Sequence, residues 1–510
     1  MLRKQTYFLI TLLFLTAEPA PAANAQAQRK ATAEEKTSRY FDSVRHQPSL
    51  LTDFLRRMPK GADLHNHLSG AVYAESFLQW AVQDGLCVDR TTATLLPPPC
   101  DTDKTKVPAA TAYKDVALYA QLMDAFSMRG WRPGLESGHD HFFATFGKFG
   151  AASGAHTAEM LAEVRSRAAA EQVAYMELMF NPDGGDAARL GTRLGWNDDF
   201  GMMREQLLAG GLKDVVAHAR QGLNDIEAKE QTELHCGQPQ ASAGCGVQAR
   251  YLYQVARGLP KEQVFAQILS GFEIASQDPR VVGLNLVMAE DWYLPTHDFR
   301  LHMQMLSFLH ELYPKVHITL HAGEVTSQLV PPEEMFHIRD SVERGHAERI
   351  GHGVDVMHEP DPAGLLREMA KRKILVEICL TSNDVILGVS GARHPLPVYM
   401  RYGVPVALAT DDEGVSRSNM TQEYQRAAET YELSYKELKK MARTSMAYSF
   451  LPGEGIWKDS DGFARAAACA ADDPASAKNS SGCNTLRSAS EKARAEWELE
   501  KAFAEFEAQF

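Results

Sequence analysis

Two histidines stand close together in the segment Lys60-Gly61-Ala62-Asp63-Leu64-His65-Asn66-His67-Leu68-Ser69-Gly70. A short strand is predicted over residues 61–67, and in a strand residues two apart point to the same side. His65 and His67 therefore place two imidazoles on one face, where the strand becomes a loop. This arrangement can supply two ligands of a metal site. Two histidines alone are a weak signal, so a metal site needs further ligands from the rest of the chain.

Seven further apolar runs are predicted to be strands, and helical segments separate them. They are residues 174–180, 249–255, 281–287, 316–321, 349–352, 374–379 and 404–409. Strands that alternate with helices indicate a parallel sheet. Eight such units are what a (β/α)₈ barrel requires, so the predicted fold class is α/β, a TIM-type barrel.

Polar side chains follow four of the predicted strands. In a (β/α)₈ barrel the functional residues lie at the carboxyl ends of the strands, so these side chains are expected to meet at one mouth. Each of them alone is more often structural, but chance does not easily place titratable groups at four of eight strand ends. The residues are His65, His67, His321, Glu324, His352, Asp411 and Asp412.

The composition and net charge limit the classes of partner that the chain is expected to bind. The chain has 510 residues, 45% of them hydrophobic and 23% charged, which is typical of a globular protein with a large core. Its formal net charge of −13 argues against a nucleic-acid or anionic-membrane partner, because binding to phosphates needs clustered lysine and arginine.

The amino terminus is typical of an exported protein. Arg3 and Lys4 precede an apolar run over residues 7–17, which is too short to span a bilayer, and Ala-x-Ala sites end at Ala25 and Ala27. We therefore expect a signal peptide over residues 1–25, cleaved after Ala25 or Ala27. The mature protein is then periplasmic or secreted, with no membrane partner.

The remaining chain is divided into three predicted parts. Residues 26–58 form a helical extension, residues 59–454 form the barrel, and residues 455–510 form a loop and a charged amphipathic helix. The barrel carries predicted insertions at residues 84–112 and 231–246. Either terminal helical part can support a homodimer or wrap its own barrel, and the sequence leaves both open.

The seven cysteines agree with export. Cys379 lies in a buried-strand pattern and is expected to be a reduced core thiol. The other six form three pairs that are close in sequence, and an oxidising compartment would allow each pair to close a loop. The pairs are Cys87 with Cys100, Cys236 with Cys245, and Cys469 with Cys483.

Several motifs together resemble the adenosine deaminase family of the amidohydrolase superfamily, and they occur along the barrel in the family's order. They are Met58-Pro59-Lys60, Leu64-His65-x-His67-Leu68-x-Gly70-Ala71, His321-Ala322-Gly323-Glu324, Arg349-Ile350-Gly351-His352-Gly353, Ser382-Asn383 and Thr410-Asp411-Asp412. The signal peptide, the extension and the cysteine-closed insertions resemble the secreted branch of that family.

The resemblance implies one Zn²⁺ per chain and a role for each motif residue. It implies that His352 takes a proton from the attacking water, and that a protonated Glu324 gives its proton to the ring nitrogen beside the amino-bearing carbon. Asp412 binds the other side of the purine. The implied reaction is deamination of adenosine or 2′-deoxyadenosine to inosine or 2′-deoxyinosine. The implied zinc ligands are His65, His67, His321 and Asp411.

The substrate side departs from the family pattern. Ser69 stands where many members have an acidic residue for the ribose 5′-hydroxyl, and Met288 stands where a glycine contacts the purine. Gly70, Phe143 and Phe146 are further positions that the resemblance places around the substrate. These departures leave open another aminopurine, namely adenine or a 5′-modified adenosine.

Two other functions remain as alternatives. A two-metal amidohydrolase needs a bridging ligand at a middle strand, but the fourth predicted strand ends in Val287-Met288. A signalling protein that has lost catalysis should show eroded catalytic positions, yet Glu324 and His352 are both present. A second His-x-His, at His139 and His141, is predicted to lie on a helix, where residues two apart do not face each other.

Overall fold

A computed structural model describes residues 1, 5, 31–101, 104–476 and 478–510. Eight parallel strands form the central barrel, and hydrogen bonds join each of these strands to the next one along the chain. They are β1 (Gly61–His67), β5 (Val173–Phe180), β6 (Gln248–Ala256), β7 (Val281–Val287), β8 (His317–Ala322), β9 (Arg349–His352), β10 (Leu375–Ile378) and β11 (Val406–Leu408). The predicted (β/α)₈ fold is confirmed.

The barrel closes between its first and last strands. Asn66 and Asp411 pair in a parallel bridge, and the Asp411 N–H donates to the His65 carbonyl at 2.9 Å. This closure brings the ends of β1 and β11 together. It explains why residues that are more than 340 positions apart in sequence can share one site.

Helices cover the outside of the barrel. Those of the first half are α1 (Ala33–Val44), α2 (Pro48–Arg57), α3 (Leu68–Ala71), α4 (Ala74–Gln83), α5 (Val116–Ala125), α6 (Gly138–Phe149), α7 (Thr157–Ala170), α8 (Asp186–Leu194), α9 (Phe200–Leu207), α10 (Lys213–Glu233) and α11 (Lys261–Gln277). Those of the second half are α12 (Tyr293–His297), α13 (Phe299–Leu312), α14 (His337–Glu343), α15 (Pro362–Arg372), α16 (Leu380–Leu387), α17 (Leu396–Tyr402), α18 (Glu413–Ser416), α19 (Met420–Tyr431), α20 (Tyr435–Ala447), α21 (Ser481–Ala489) and α22 (Glu491–Glu507).

The two terminal helical parts pack against each other on the barrel. The Phe54 ring of α2 lies 5.1 Å from Phe506 of α22 and 5.8 Å from Tyr435 of α20. Such edge-on aromatic contacts bury large apolar areas. The extension therefore covers its own barrel. The homodimer that the sequence left open is not tested by these contacts.

Three disulfides close the insertions and the C-terminal loop. In the first insertion a small antiparallel sheet, of β2 (Cys87–Asp89), β3 (Thr94–Leu96) and β4 (Lys106–Pro108), carries the bond from Cys87 to Cys100. The other bonds join Cys236 to Cys245 and Cys469 to Cys483. Cys379 is buried and free.

The predicted signal peptide lies almost entirely outside the described residues. Within the part of the chain that the structure describes, every helix is too short or too polar to pass through a bilayer.

Candidate metal and catalytic centre

Four potential metal ligands meet at the carboxyl ends of β1, β8 and β11. One ligand atom from each of them lies within 4.8 Å of all the others. His321 Nε2 is 3.0 Å from His65 Nε2 and 3.1 Å from His67 Nε2. Asp411 Oδ1 is 3.7 Å from His65 Nε2 and 3.4 Å from His67 Nε2.

The outer nitrogens of the three histidines define their tautomers. His65 Nδ1 lies 2.7 Å from the Glu377 carboxylate, and His321 Nδ1 lies 2.9 Å from the Asn285 side-chain oxygen. His67 Nδ1 is 3.2 Å from Gln254 Oε1. Because all three partners are oxygen acceptors, each Nδ1 carries the ring proton and each Nε2 presents a lone pair inward.

This arrangement fits a zinc ion. His321 Nε2 lies 3.0 and 3.1 Å from the Nε2 atoms of His65 and His67, and lone pairs at these distances repel unless a cation lies between them. A tetrahedral ion with ligands at about 2.0–2.1 Å has ligand–ligand edges of about 3.3–3.4 Å, close to the observed spacings. Three imidazoles with one carboxylate are also ligand types that zinc accepts.

A second possible ligand group shares His65 and Asp411 and adds His352 and Cys379. Burial raises the pKa of the Cys379 thiol well above its ordinary value. Because the thiolate is the form that binds metals, this group is the weaker candidate.

The carboxyl groups of the site differ in protonation. Burial opposes ionisation of Asp411, yet the histidines around it bring its pKa down to about 2, so it is a carboxylate. Burial and the nearby Asp411 charge raise the pKa of Glu324 well above its ordinary value, and the same two causes raise that of Asp412. These shifts favour the ionised form of Asp411 and the protonated forms of Glu324 and Asp412, in which each acid can donate a hydrogen bond.

His352 lies beside the four ligands. Its ring is buried, and Nε2 lies 3.9 Å from Asp411 Oδ2. Nε2 has no hydrogen-bond partner among the described residues. On the other side of the ring, Nδ1 lies 3.0 Å from the side-chain nitrogen of Asn383.

Three residues at the site adopt a backbone conformation that side chains other than glycine rarely take. The φ angles of Met288, His352 and Asp411 are 85°, 70° and 58°. Positive φ at Met288 gives a reason for glycine at this position in the family pattern. In this chain the buried Arg257 holds the Met288 carbonyl, with donors at 3.0 and 3.2 Å. Strained backbone of this kind occurs at functional sites.

A cavity of about 240 Å³ opens above the ligands. The predicted substrate residues Ser69, Met288, Phe143, Phe146 and Asp412 line it, whereas Gly70 lies beneath the Asp412 side chain. The other lining residues are His67, Phe142, Gln254, Val287, Trp292, His321, Glu324, Ile386 and Asp411.

His139 and His141 do not join this centre. They lie on α6, as predicted, and His139 Nε2 contacts the Asp291 carboxylate at 2.8 Å.

Sequence reasoning missed the residues that orient the ligands. Glu377, Gln254 and Asn285 lie within strands and contact the metal-site histidines from behind. Glu290, in the loop after β7, accepts the backbone N–H groups of Gly323 and Glu324, each at 2.9 Å. An acid inside an apolar strand run, as at Glu377, is a usable signal, because a buried carboxylate needs a partner.

Comparisons with known proteins identify one matching family model and several relatives. Residues 151–458 match the family model for adenosine deaminase, a range that contains His321, Glu324, His352 and Asp411. The adenosine deaminase of Pectobacterium atrosepticum is 34% identical over 179 residues, which cover 35% of this chain and 48% of that protein. The adenosine deaminase of Enterococcus faecalis is 35% identical over 135 residues, 26% of this chain and 37% of that protein.

The chain thus spans about half the length of these relatives, or less. Among solved structures, Arabidopsis ADAL complexed with IMP has a TM-score of 0.50 at 22% identity and covers 78% of this chain and 94% of that one. This likeness shows a shared fold.

Proposed function

Because the chain belongs to the adenosine deaminase family, we propose that it is a zinc-dependent hydrolase of adenosine and 2′-deoxyadenosine. Its products are inosine or 2′-deoxyinosine and ammonia. The observation that carries the proposal is the inward-facing set of three imidazoles and one carboxylate, next to an acid, Glu324, whose pKa burial raises well above its ordinary value.

Different residues of the site would bind the metal and donate the proton. When bound, zinc supplies a Lewis acid that makes hydroxide available at neutral pH. His65, His67, His321 and Asp411 would hold it. Glu324 donates its proton to the ring nitrogen beside the amino-bearing carbon, which prevents negative charge from accumulating on the purine.

The substrate is held by the groups around that reaction. The protonated Asp412 carboxyl lies in the cavity wall and can donate a hydrogen bond to a ring nitrogen. Burial of Glu324 and His352 limits access of bulk water to the proton transfers.

The cavity favours an uncharged nucleoside over a nucleotide. No lysine or arginine is among the described residues that line it, so a phosphate would enter without a cationic partner. Its wall contains Phe142, Phe143, Phe146, Trp292 and Ile386.

This wall, together with Ser69, favours a second candidate substrate, a 5′-modified adenosine. Comparing kcat/KM for adenosine and 5′-deoxyadenosine decides between them. A ratio near one shows that the 5′-hydroxyl makes no useful contact, whereas a strong preference for adenosine supports the first substrate.

The test of the proposed activity is direct. Zinc-loaded protein is incubated with adenosine, inosine is followed by the loss of purine absorbance, and bound metal is counted per chain. The control is Glu324→Gln, which should keep its zinc and lose turnover by roughly 10²- to 10⁴-fold. Absence of inosine with the zinc-loaded wild-type protein would reject the proposal, and two tightly bound ions per chain would favour a two-metal enzyme.

We also propose export of the protein to the periplasm or the medium. The charged start, the short apolar run and the three disulfides support it. Mass spectrometry of the exported protein should find Gln26 or Gln28 as the first residue, and an intact Met1 would contradict cleavage.

A further inference from the structure

The partner of His352 differs in kind from the partners of the three ligand histidines. Each ligand histidine presents Nδ1 to an oxygen acceptor. The shortest contact of His352 Nδ1 is instead with the side-chain amide of Asn383, with Nδ2 at 3.0 Å; Glu324 Oε1 lies farther away, at 3.5 Å. An amide nitrogen can only donate, so with this orientation of the amide His352 Nδ1 must accept.

A backbone group determines the orientation of this amide. The Leu396 N–H at the start of α17 donates to His394 Nδ1 at 3.1 Å. A backbone N–H cannot accept, so the ring proton of a neutral His394 lies on Nε2. That Nε2 is 3.0 Å from Asn383 Oδ1 and donates to it. The amide nitrogen of Asn383 therefore faces His352.

Burial leaves little freedom for another arrangement. The exposed fractions of His352, Asn383 and His394 are 0%, 0% and 2%. Burial also lowers the pKa of His394 to about 4, so its ring carries a single proton at neutral pH. Reversing any one bond of the chain would set two donors or two acceptors against each other where water cannot compensate.

We propose that His394 is a positioning residue that acts through Asn383 to hold His352 with its ring proton on Nε2. This inference rests on the proposed function for its catalytic meaning. The Nε2–H points toward the metal-site carboxylate, Asp411 Oδ2, at 3.9 Å. His352 thus enters the reaction as a hydrogen-bond donor that orients the attacking oxygen, whereas the family resemblance implied that it begins as a base.

The decisive variant is Asn383→Asp, which has nearly the same shape. A carboxylate accepts on both oxygens, so it would keep the His394 bond and require a proton on His352 Nδ1. We expect kcat to fall roughly 10- to 100-fold, as is typical for partners that orient catalytic groups, with KM and zinc content unchanged. His394→Gln, whose amide can both accept from Leu396 and donate to Asn383, should retain most of kcat, and His394→Leu should not.

Tautomers are measured independently of activity by nitrogen NMR of histidine-labelled, zinc-loaded protein. The wild type should show the His352 proton on Nε2, and Asn383→Asp should show it on Nδ1. His46→Gln, at an exposed position in the extension, is the matched control and should change neither tautomer nor kcat.

A wild-type His352 with its proton on Nδ1 would overturn the inference, as would an Asn383→Asp protein with an unchanged tautomer and kcat. If the wild type makes no inosine but shows the Nε2 proton, the proposed function fails while the positioning chain stands. If His394→Leu does not fold, the wild-type spectrum and Asn383→Asp still decide.

Discussion

The Glu290→Gln substitution tests how Glu324, the proposed proton donor, is held. The Glu290 carboxylate accepts the N–H groups of Gly323 and Glu324 at 2.9 Å each and also contacts His337 Nδ1. Arg257 Nη2 lies 3.8 Å away, and the side chains of both Glu290 and Arg257 are fully buried. Glutamine has the same shape but replaces one acceptor by a donor, which would oppose one of the backbone N–H groups.

The size of the effect follows from the pKa of Glu290. Burial opposes its ionisation, but His337, Arg257 and the Gly323 N–H lower the pKa from the ordinary 4.5 to about 2. A difference of this size corresponds to about 3 kcal/mol in favour of the ionised form. This agrees with the roughly 3–5 kcal/mol lost when one member of a buried ion pair is removed.

The same pKa values determine how the stabilisation by the Glu290 carboxylate changes with pH. A lowered pKa in the folded protein means that the contribution is fully present above the unfolded value of 4.5 and is lost as the pH falls toward about 2. The experiment therefore belongs at neutral pH, where the contribution is complete.

Urea unfolding followed by tryptophan fluorescence measures the change in free energy. We expect Glu290→Gln to lower it by about 3 kcal/mol and to reduce kcat because Glu324 loses its backbone support. The matched control is Glu343→Gln on α14, whose ion pair with Arg339 at 2.8 Å is partly exposed and should contribute less than about 1 kcal/mol. Equal stabilities of the two variants would refute this account of Glu290.

Three further outcomes are expected. Because burial and the Asp411 charge raise the pKa of Glu324, kcat/KM should persist at neutral pH and fall as rising pH removes the Glu324 proton. The residual activity of Glu324→Gln should not show this fall at alkaline pH. If that variant still shows it, the fall belongs to another group. Gly70→Ala places a Cβ 1.5 Å from Asp412 Oδ1, so it should displace that carboxyl group. We expect KM to rise about tenfold with zinc retained. An unchanged KM would show that Asp412 does not bind the substrate. Thiol titration of the denatured, unreduced protein should find one free thiol, from Cys379, and additional thiols would contradict the three disulfides.

The strands and the polar strand ends were predictable because each depends on local pattern. A parallel barrel buries both faces of its strands, so they appear as apolar runs. The runs that end in His67 and His321 coincide with strands of the structure to within a residue. Since functional residues of such barrels follow the strands, the run before His321 also points to Glu324, and the runs over residues 349–352 and 404–409 point to His352 and Asp411.

The supporting residues could not be predicted in the same way, because their roles depend on distant partners. Glu377 lies 312 positions from His65, and Asn285 lies 36 positions from His321. Their spacing along the chain carries no period that marks a contact across a barrel.

Local periodicity in the sequence predicted the eight strands, and the proximity of the cysteines along the chain predicted their pairing. The metal ligands and the acid were expectations that the motifs implied through the family resemblance. The closed barrel decided the rest. Closure places Asp411 against His65. At that point burial and the Asp411 charge raise the pKa of Glu324, whereas the nearby histidines lower the pKa of Asp411 against the effect of burial. The tautomer of His352 depends on a backbone N–H of Leu396, through two intervening side chains. Protonation and hydrogen-bond direction are properties of an environment, and only the tertiary structure brings that environment together.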